Sequence, residues 1–327
     1  MMMKFLLLAC LLSVFDVTLS IEYKCNRRAT CGCSKRSTAI LTKIVGGEPV
    51  DEANPWRWIG SLRRDNVHSC GASLVTPWFA ITAAHCLEDI QSLSTLSLNF
   101  GVTDLSYTGQ LRNIVEIFKH PYYVPHPLAN DLALLRLDEP IDTTNSDVSV
   151  ICLPKPSEFN LRLAEYPPVG VNLVAIGWGT LDYFDPLFSP ILRQVTLRSV
   201  GSTEAFCEKK NLSKASQFCA GYPEGGRDTC KGDSGGPLML FKNGRWQLIG
   251  VTSTGGVCGM PNTPGVYTRI AYYDSFINEI INTGSAFRPL LKQAQVELPP
   301  LSNSNAFYPK SFFFFSCLFV RVFSFLQ

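Results

Sequence analysis

Three short stretches decide how this chain reads: Thr82-Ala83-Ala84-His85-Cys86, Asn130-Asp131-Leu132-Ala133-Leu134-Leu135 and Gly232-Asp233-Ser234-Gly235-Gly236-Pro237. Each presents one polar side chain in a context that fixes its direction. Small residues before His85 let the chain turn tightly. Asp131 opens an apolar run, which places its carboxylate at a strand start and partly out of water. Ser234 stands between glycines, whose missing Cβ permits unusual backbone angles and the close approach of another molecule. A serine hydroxyl is a weak nucleophile at neutral pH, so it needs a base within reach and a third group to orient that base. Taken together, His85 is the candidate base, Asp131 the group that accepts its ring N–H and fixes the tautomer, and Ser234 the nucleophile. The remaining histidines, His68, His120 and His126, are read as surface or satisfied core residues without a role.

The surrounding sequence suits an exported globular protein. With 327 residues the chain is long enough for one large domain or two, and 46% of it is hydrophobic against 17% charged. A formal net charge of +2 points to neither nucleic acid nor an acidic polymer as partner. Lys4 precedes an eleven-residue apolar run, Phe5 to Phe15, with small residues Thr18 and Ser20 ahead of Ile21, the pattern of a signal peptide over residues 1–20. That run is short of the roughly 20 residues that span a bilayer. Given export, the 12 cysteines read as a disulfide framework.

After the leader comes a polar stretch, residues 21–43, carrying Cys25, Cys31 and Cys33; it is too short to build a core and reads as a pro-segment. Short apolar or alternating runs follow, among them Ser97–Val102, Val171–Trp178, Arg245–Thr252 and Gly265–Ile270, each bounded by turn-forming residues. The strong helical period lies at Tyr273–Ile281, with Phe276, Ile277, Ile280 and Ile281 on one face. Many short strands with one closing helix argue for an all-β barrel or sandwich architecture. No internal repeat is evident.

The three stretches, in this order, resemble the chymotrypsin/trypsin family of serine endopeptidases, and the resemblance runs from Ile44 to about Thr283. It implies two six-stranded antiparallel β-barrels packed together with a C-terminal helix and the active site in the cleft between them. It also implies an oxyanion hole made by the N–H groups of Gly232 and Ser234, worth roughly 3–4 kcal/mol per donor. Asp228, six residues before Ser234, matches the floor of the S1 pocket in trypsin-like members, with Thr229, Ser253, Gly255 and Gly265 along its walls. A carboxylate there favours Arg or Lys at P1 through charge-assisted hydrogen bonds. Lys43-Ile44-Val45-Gly46-Gly47 resembles the family's activation site: cleavage after Lys43 frees the Ile44 amino group to pair with Asp233, ordering the loop beside the nucleophile. Burying both charges costs several kcal/mol per ion, so the pair needs good geometry.

The resemblance further implies disulfides Cys70–Cys86, Cys207–Cys219 and Cys230–Cys258. Cys152 has no partner in the catalytic region, which points to Cys33 or a neighbour in the pro-segment and leaves Cys25–Cys31 as the residual pair; residues 21–43 then stay attached as a light chain. Three departures from the family pattern stand out. Thr254 replaces a usual tryptophan, Val257 replaces a pocket-rim glycine and is expected to crowd the entrance, and Lys231 adds positive charge that disfavours basic residues flanking the scissile bond. No match to the family's calcium loop follows Phe100-Gly101, so neither a structural metal nor a cofactor is expected. The expected partners are protein or peptide substrates with Arg or Lys at P1, an activating trypsin-like protease and protein inhibitors.

Asn211-Leu212-Ser213 is an N-glycosylation sequon. Residues 285–327 turn polar and then apolar, with seven phenylalanines in Ser311–Gln327. This tail reads as a GPI-attachment signal, a spanning helix interrupted by Arg321, or a soluble tail or gene-model artefact. The competing reading for the whole chain is a catalytically weak or inactive secreted homologue acting as a binding module.

Overall fold

The computed structural model describes residues 20–26, 28–33, 38–41, 47–50, 56–144, 147–155, 166–210 and 212–284. The leader, Lys43 and Ile44 at the expected cleavage point, the sequon residue Asn211 and the tail from residue 285 lie outside these residues.

Twelve strands build two closed barrels. The first comprises β1 (Ile59–Arg64), β2 (Val67–Thr76), β3 (Phe79–Thr82), β4 (Leu96–Phe100), β5 (Gln110–Lys119) and β6 (Ala133–Leu137), hydrogen-bonded in the order β6-β3-β2-β1-β4-β5 and closed by β6 on β5. The second comprises β7 (Asn172–Gly177), β8 (Arg193–Val200), β9 (Gln217–Ala220), β10 (Pro237–Lys242), β11 (Arg245–Thr254) and β12 (Gly265–Arg269), in the order β7-β10-β11-β12-β9-β8 with β7 closing on β8. All pairings within the barrels are antiparallel. Two tight hairpins set the register. Asp65 and Asn66, both at positive φ, join β1 to β2, and Asn243-Gly244 joins β10 to β11. Such paired left-handed residues match the twist of the flanking strands.

A helix, Asp274–Thr283, closes the catalytic region after a 3₁₀ turn at Ile270–Tyr273. Phe276, Ile277 and Ile280 are its buried face, as the period of the sequence requires. Gly284, in the left-handed conformation at φ 61°, ends it by donating its N–H to Ile280 O. The barrels meet where side chains are smallest: the Gly71 N–H donates to Ser234 O at 2.7 Å, and a Cβ on Gly71 would come within 2.7 Å of Gly236 Cα. Trp58 Nε1 donates across the same seam to Met239 Sδ at 3.0 Å.

The pro-segment departs from expectation in its cysteines. Cys31 pairs with Cys152, and Cys25 with Cys33, in place of the expected Cys33–Cys152 and Cys25–Cys31. The physical reason is the docking of Gly32. Its N–H donates to Val150 O and its carbonyl accepts from Trp246 N–H, both at 2.8 Å, so this glycine lies flat between two strands of main chain. At φ 66°, with Trp246 O where a Cβ would be, only glycine fits there. That register brings the Cα of Cys31 to 5.0 Å from that of Cys152 and leaves Cys33 within 5.6 Å of Cys25. Tethering to the catalytic region is retained through a different sulfur. The segment also docks by packing: Ser20–Tyr23 pairs with Thr38–Leu41 as a hairpin, Tyr23 meets Phe241 edge-on and Trp246 at a tilt, and Ile40 is buried in the core. Cys70–Cys86, Cys207–Cys219 and Cys230–Cys258 form as the family pattern implies.

Candidate active site

His85 begins a single 3₁₀ turn directly after β3, where the fully buried Ala83 and Ala84 leave no side chain to obstruct the bend. Its main-chain N–H donates to Asp131 Oδ1 at 2.9 Å, and its ring Nδ1 lies 2.8 Å from Asp131 Oδ2. A carboxylate accepting at Nδ1 leaves the Nε2 lone pair free to take a proton. Asp131 is 1% exposed, and burial at that level demands partners for both oxygens. The second barrel supplies one, since Ser253 Oγ donates to Asp131 Oδ2 at 2.6 Å, while Thr268 Oγ1 donates to the Asp131 carbonyl at 2.8 Å. The dyad therefore bridges both barrels. Asn130, at φ 51°, makes the turn into Asp131 and is fixed by bonds to Tyr122 O and from Tyr273 Oη.

Ser234 sits across the cleft, its carbonyl held by Gly71. Gly232 at φ 94° and Gly235 at φ 76° flank it, and a Cβ on Gly235 would collide with Thr82 Oγ1 and Gly71 O. Among the described residues no hydrogen bond joins Ser234 Oγ to His85 Nε2; such bonds are often long before substrate binds. Nor do the N–H groups of Gly232 and Ser234 donate to an acceptor among the described residues, which leaves them available to a developing oxyanion.

The sequence reading missed a residue that holds this loop. His68, 5% exposed, bridges Ser61 Oγ (2.8 Å from Nδ1) and the Gly232 carbonyl (3.1 Å from Nε2). A carbonyl only accepts, so Nε2 carries the proton and Nδ1 accepts from Ser61. Burial is the main influence on the ring, lowering its pKa to about 4 and keeping it neutral. Phe188 packs edge-on against His68 and covers Gly232, where a Cβ would stand 2.7 Å from its ring. His68 thereby fixes the peptide that sets the direction of the Gly232 N–H. A faint signal existed: on an alternating strand His68 has the parity of Cys70, an inward-facing position.

An open cleft of about 680 Å³ beside Ser234 is lined by Thr229, Ser253, Thr254, Gly255, Gly256 and Gly265 among others. Four of the expected pocket-wall residues thus meet at one cavity. Gly255 faces open space, with nothing within 4 Å of a Cβ built on it. Asp228 lies behind Gly265, where an added Cβ would come to 3.0 Å from Asp228 Oδ1 and 2.9 Å from Tyr267 Oη. The carboxylate accepts from Thr229 N–H at 2.9 Å and Gly259 N–H at 3.2 Å. Desolvation nevertheless raises its pKa to about 6, helped by the Asp233 charge and opposed by those two bonds and by Lys210. Val257, expected to crowd the entrance, is not among the residues that line the cleft.

A second cavity, of about 840 Å³, shares Thr229, Cys230 and Cys258 with the first and is lined also by Asp233, Asp228, Gly177, Gly179 and Gly47. Asp233 accepts from Gly179 N–H at 2.8 Å and Cys230 N–H at 2.9 Å. A Cβ at Gly177 or Gly179 would strike its carboxylate, so both positions are glycine for space. Burial pushes the Asp233 carboxyl up to about 6, against the pull of those two N–H groups. The close grouping of Cys70, Cys86 and His85 is no metal site, because the two sulfurs are joined to each other and offer no thiolate.

Two closed six-stranded barrels with a buried aspartate, a histidine and a glycine-framed serine at their junction define the serine-protease layout. The sequence matches the family model described as Trypsin over residues 44–277, and the chain belongs to the trypsin family. It is 37% identical over 254 residues, or 76% of its length, to rat (Rattus norvegicus) transmembrane protease serine 9. The match covers 23% of that longer protein. Among the described residues no helix is long and apolar enough to cross a membrane.

Proposed function

We propose that this chain is an exported serine endopeptidase that cleaves after Arg or Lys, made as a precursor and activated by cleavage of the Lys43–Ile44 bond. The observation that carries the reading is the bridged dyad: His85 held at two points by a buried Asp131, whose remaining capacity is taken up by Ser253. In this account His85 Nε2 removes the Ser234 proton as Oγ attacks the scissile carbonyl. Asp131 stabilises the imidazolium and keeps its ring oriented. The oxyanion is held by the N–H groups of Gly232 and Ser234, roughly 3–4 kcal/mol per donor. His85 then gives its proton to the departing amine, and a water, deprotonated by the same nitrogen, hydrolyses the Ser234 ester. These are the roles of a serine–histidine–aspartate triad, carried by the residues of this chain.

Arg/Lys preference is supported by Asp228 behind a glycine wall, since a cationic side chain reaching it would meet a carboxylate already stripped of water. Activation is supported by the position of Gly47 on the wall of the Asp233 cavity, three residues after Ile44. A freed Ile44 ammonium entering that cavity would neutralise a carboxylate that burial disfavours. The light chain would remain joined through Cys31–Cys152, and Asn211 would carry a glycan. Protein substrates, a trypsin-like activator and protein inhibitors are the partners of such an enzyme; no cofactor has a part in the chemistry.

The test is labelling by a fluorophosphonate together with hydrolysis of peptides carrying Arg, Lys, Phe or Ala at P1, on the chain cleaved after Lys43. Labelling at Ser234 with turnover confined to Arg and Lys is expected. Absence of labelling from protein with a verified Ile44 terminus would instead favour a binding homologue.

A further inference from the structure

Two lysines stand at the rim of the cleft beside Ser234, and Asp228 lies behind its Gly265 wall. The Lys231 ammonium donates to Tyr183 O at 2.9 Å and lies 4.0 Å from the centroid of the Tyr183 ring. That double contact holds the charge beside the cleft, which Lys231, Tyr183 and Ser234 all line. The second is Lys210, whose Nζ would lie 3.7 Å from a Cβ on Gly256, itself a cleft residue. Its charge is felt at Asp228 behind the Gly265 wall, where it favours the ionised carboxylate. Among the described residues neither ammonium is in an ion pair. The carboxylates of the neighbouring loop are engaged at home: Asp182 accepts from Phe184 N–H at 2.8 Å and Asp185 from Leu187 N–H at 2.9 Å.

Negative charge thus stands behind the Gly265 wall of the cleft and positive charge at its rim. Resting on the reading of this cleft as a pocket for Arg or Lys, we propose that the enzyme selects a single basic residue flanked by acidic ones, with Lys231 and Lys210 reading the flanks. A second basic residue beside P1 meets an ammonium, whereas Glu or Asp meets an unpaired cation. Exposed pairs contribute little each, so the expected preference is about threefold in kcat/KM per acidic flank. Screening makes it strongest at low salt. The chain's own activation stretch carries no acidic residue within four positions of Lys43 on either side. The rim lysines therefore give the mature enzyme no advantage on its own activation stretch.

The experiment uses the full chain cleaved after Lys43 and P1-Arg octapeptides with Glu, Gln or Lys placed singly at each of three positions on either side. Rates are measured at about 0.01 M and about 1 M salt, where the Debye length falls from about 30 Å to about 3 Å. The expected result is a Glu-over-Gln ratio of about threefold on the flanks at low salt. That ratio should approach one at high salt, and should be lost in the Lys210→Gln/Lys231→Gln double variant. Equal rates for Glu and Gln at every position at low salt would overturn the proposal, as would a preference that survives the double variant. Cleavage indifferent to the flanks removes only the rim reading. No cleavage of any Arg peptide removes the peptidase reading beneath it.

Discussion

Lowering the pH should empty the pocket of its charge before it disturbs the fold around it. Burial raises the Asp228 pKa to about 6, and a cationic P1 group is recognised by the ionised carboxylate. The sign follows directly: binding is fully present above this value and is lost as pH falls through it. At pH 8 nearly all Asp228 is charged, whereas at pH 5 only about a tenth is, so affinity for a small amidinium inhibitor should fall about elevenfold. Affinity is the better readout than turnover, because His85 must also remain neutral for catalysis. Calorimetric titration of the activated enzyme at half-unit steps from pH 8 to pH 5 measures it. A neutral inhibitor of similar shape should show no such fall, and Asp228→Asn should bind the amidinium weakly at every pH. An amidinium affinity that stays flat across this range in the unaltered enzyme would refute the desolvated-floor argument.

Other consequences are open to direct measurement. Gly265→Ala places a Cβ 3.0 Å from Asp228 Oδ1 and 2.9 Å from Tyr267 Oη, so turnover of P1-Arg peptides should drop while labelling by a small fluorophosphonate persists. His68→Ala removes the support of the Gly232 carbonyl; kcat should fall about 10–100-fold with KM little changed, part of the loss expected for an oxyanion donor, and a KM effect alone would contradict that role. Asp233→Asn should hold the cleaved chain at precursor activity, a loss on the order of 100-fold or more, although Lys43 is still cut. On a denaturing, non-reducing gel the cleaved Cys31→Ser variant should release residues 21–43, whereas Cys33→Ser should keep them attached; the reverse pattern would restore the pairing expected from sequence.

The catalytic group could be read from sequence because each member carries its own local frame. Glycines around Ser234, alanines before His85 and the apolar run after Asp131 are short-range features, and the strands and helix they sit on follow from alternation and period. Boundaries moved only slightly: the helix starts at Asp274 rather than Tyr273, because the residues before it tighten into a 3₁₀ turn. What could not be read was set by distant partners. Cys31 and Cys33 are two residues apart and chemically identical, and the choice between them is made by Gly32 docking against Val150 and Trp246. His68 meets Gly232 across 164 residues of chain, and nothing near it in sequence announces that bond. Val257 was expected to narrow the pocket from its position alone, yet Gly255, Gly256 and Cys258 form that wall without it.

The most direct test of the account is hydrolysis of matched Arg, Lys, Phe and Ala P1 peptides by the purified chain before and after limited cleavage, with the new N-terminus sequenced. The account predicts that Arg and Lys peptides are cut only once Ile44 is the terminus, and that Phe and Ala peptides are left intact. Full activity of the uncleaved chain, or none from a chain with a free Ile44, would contradict it.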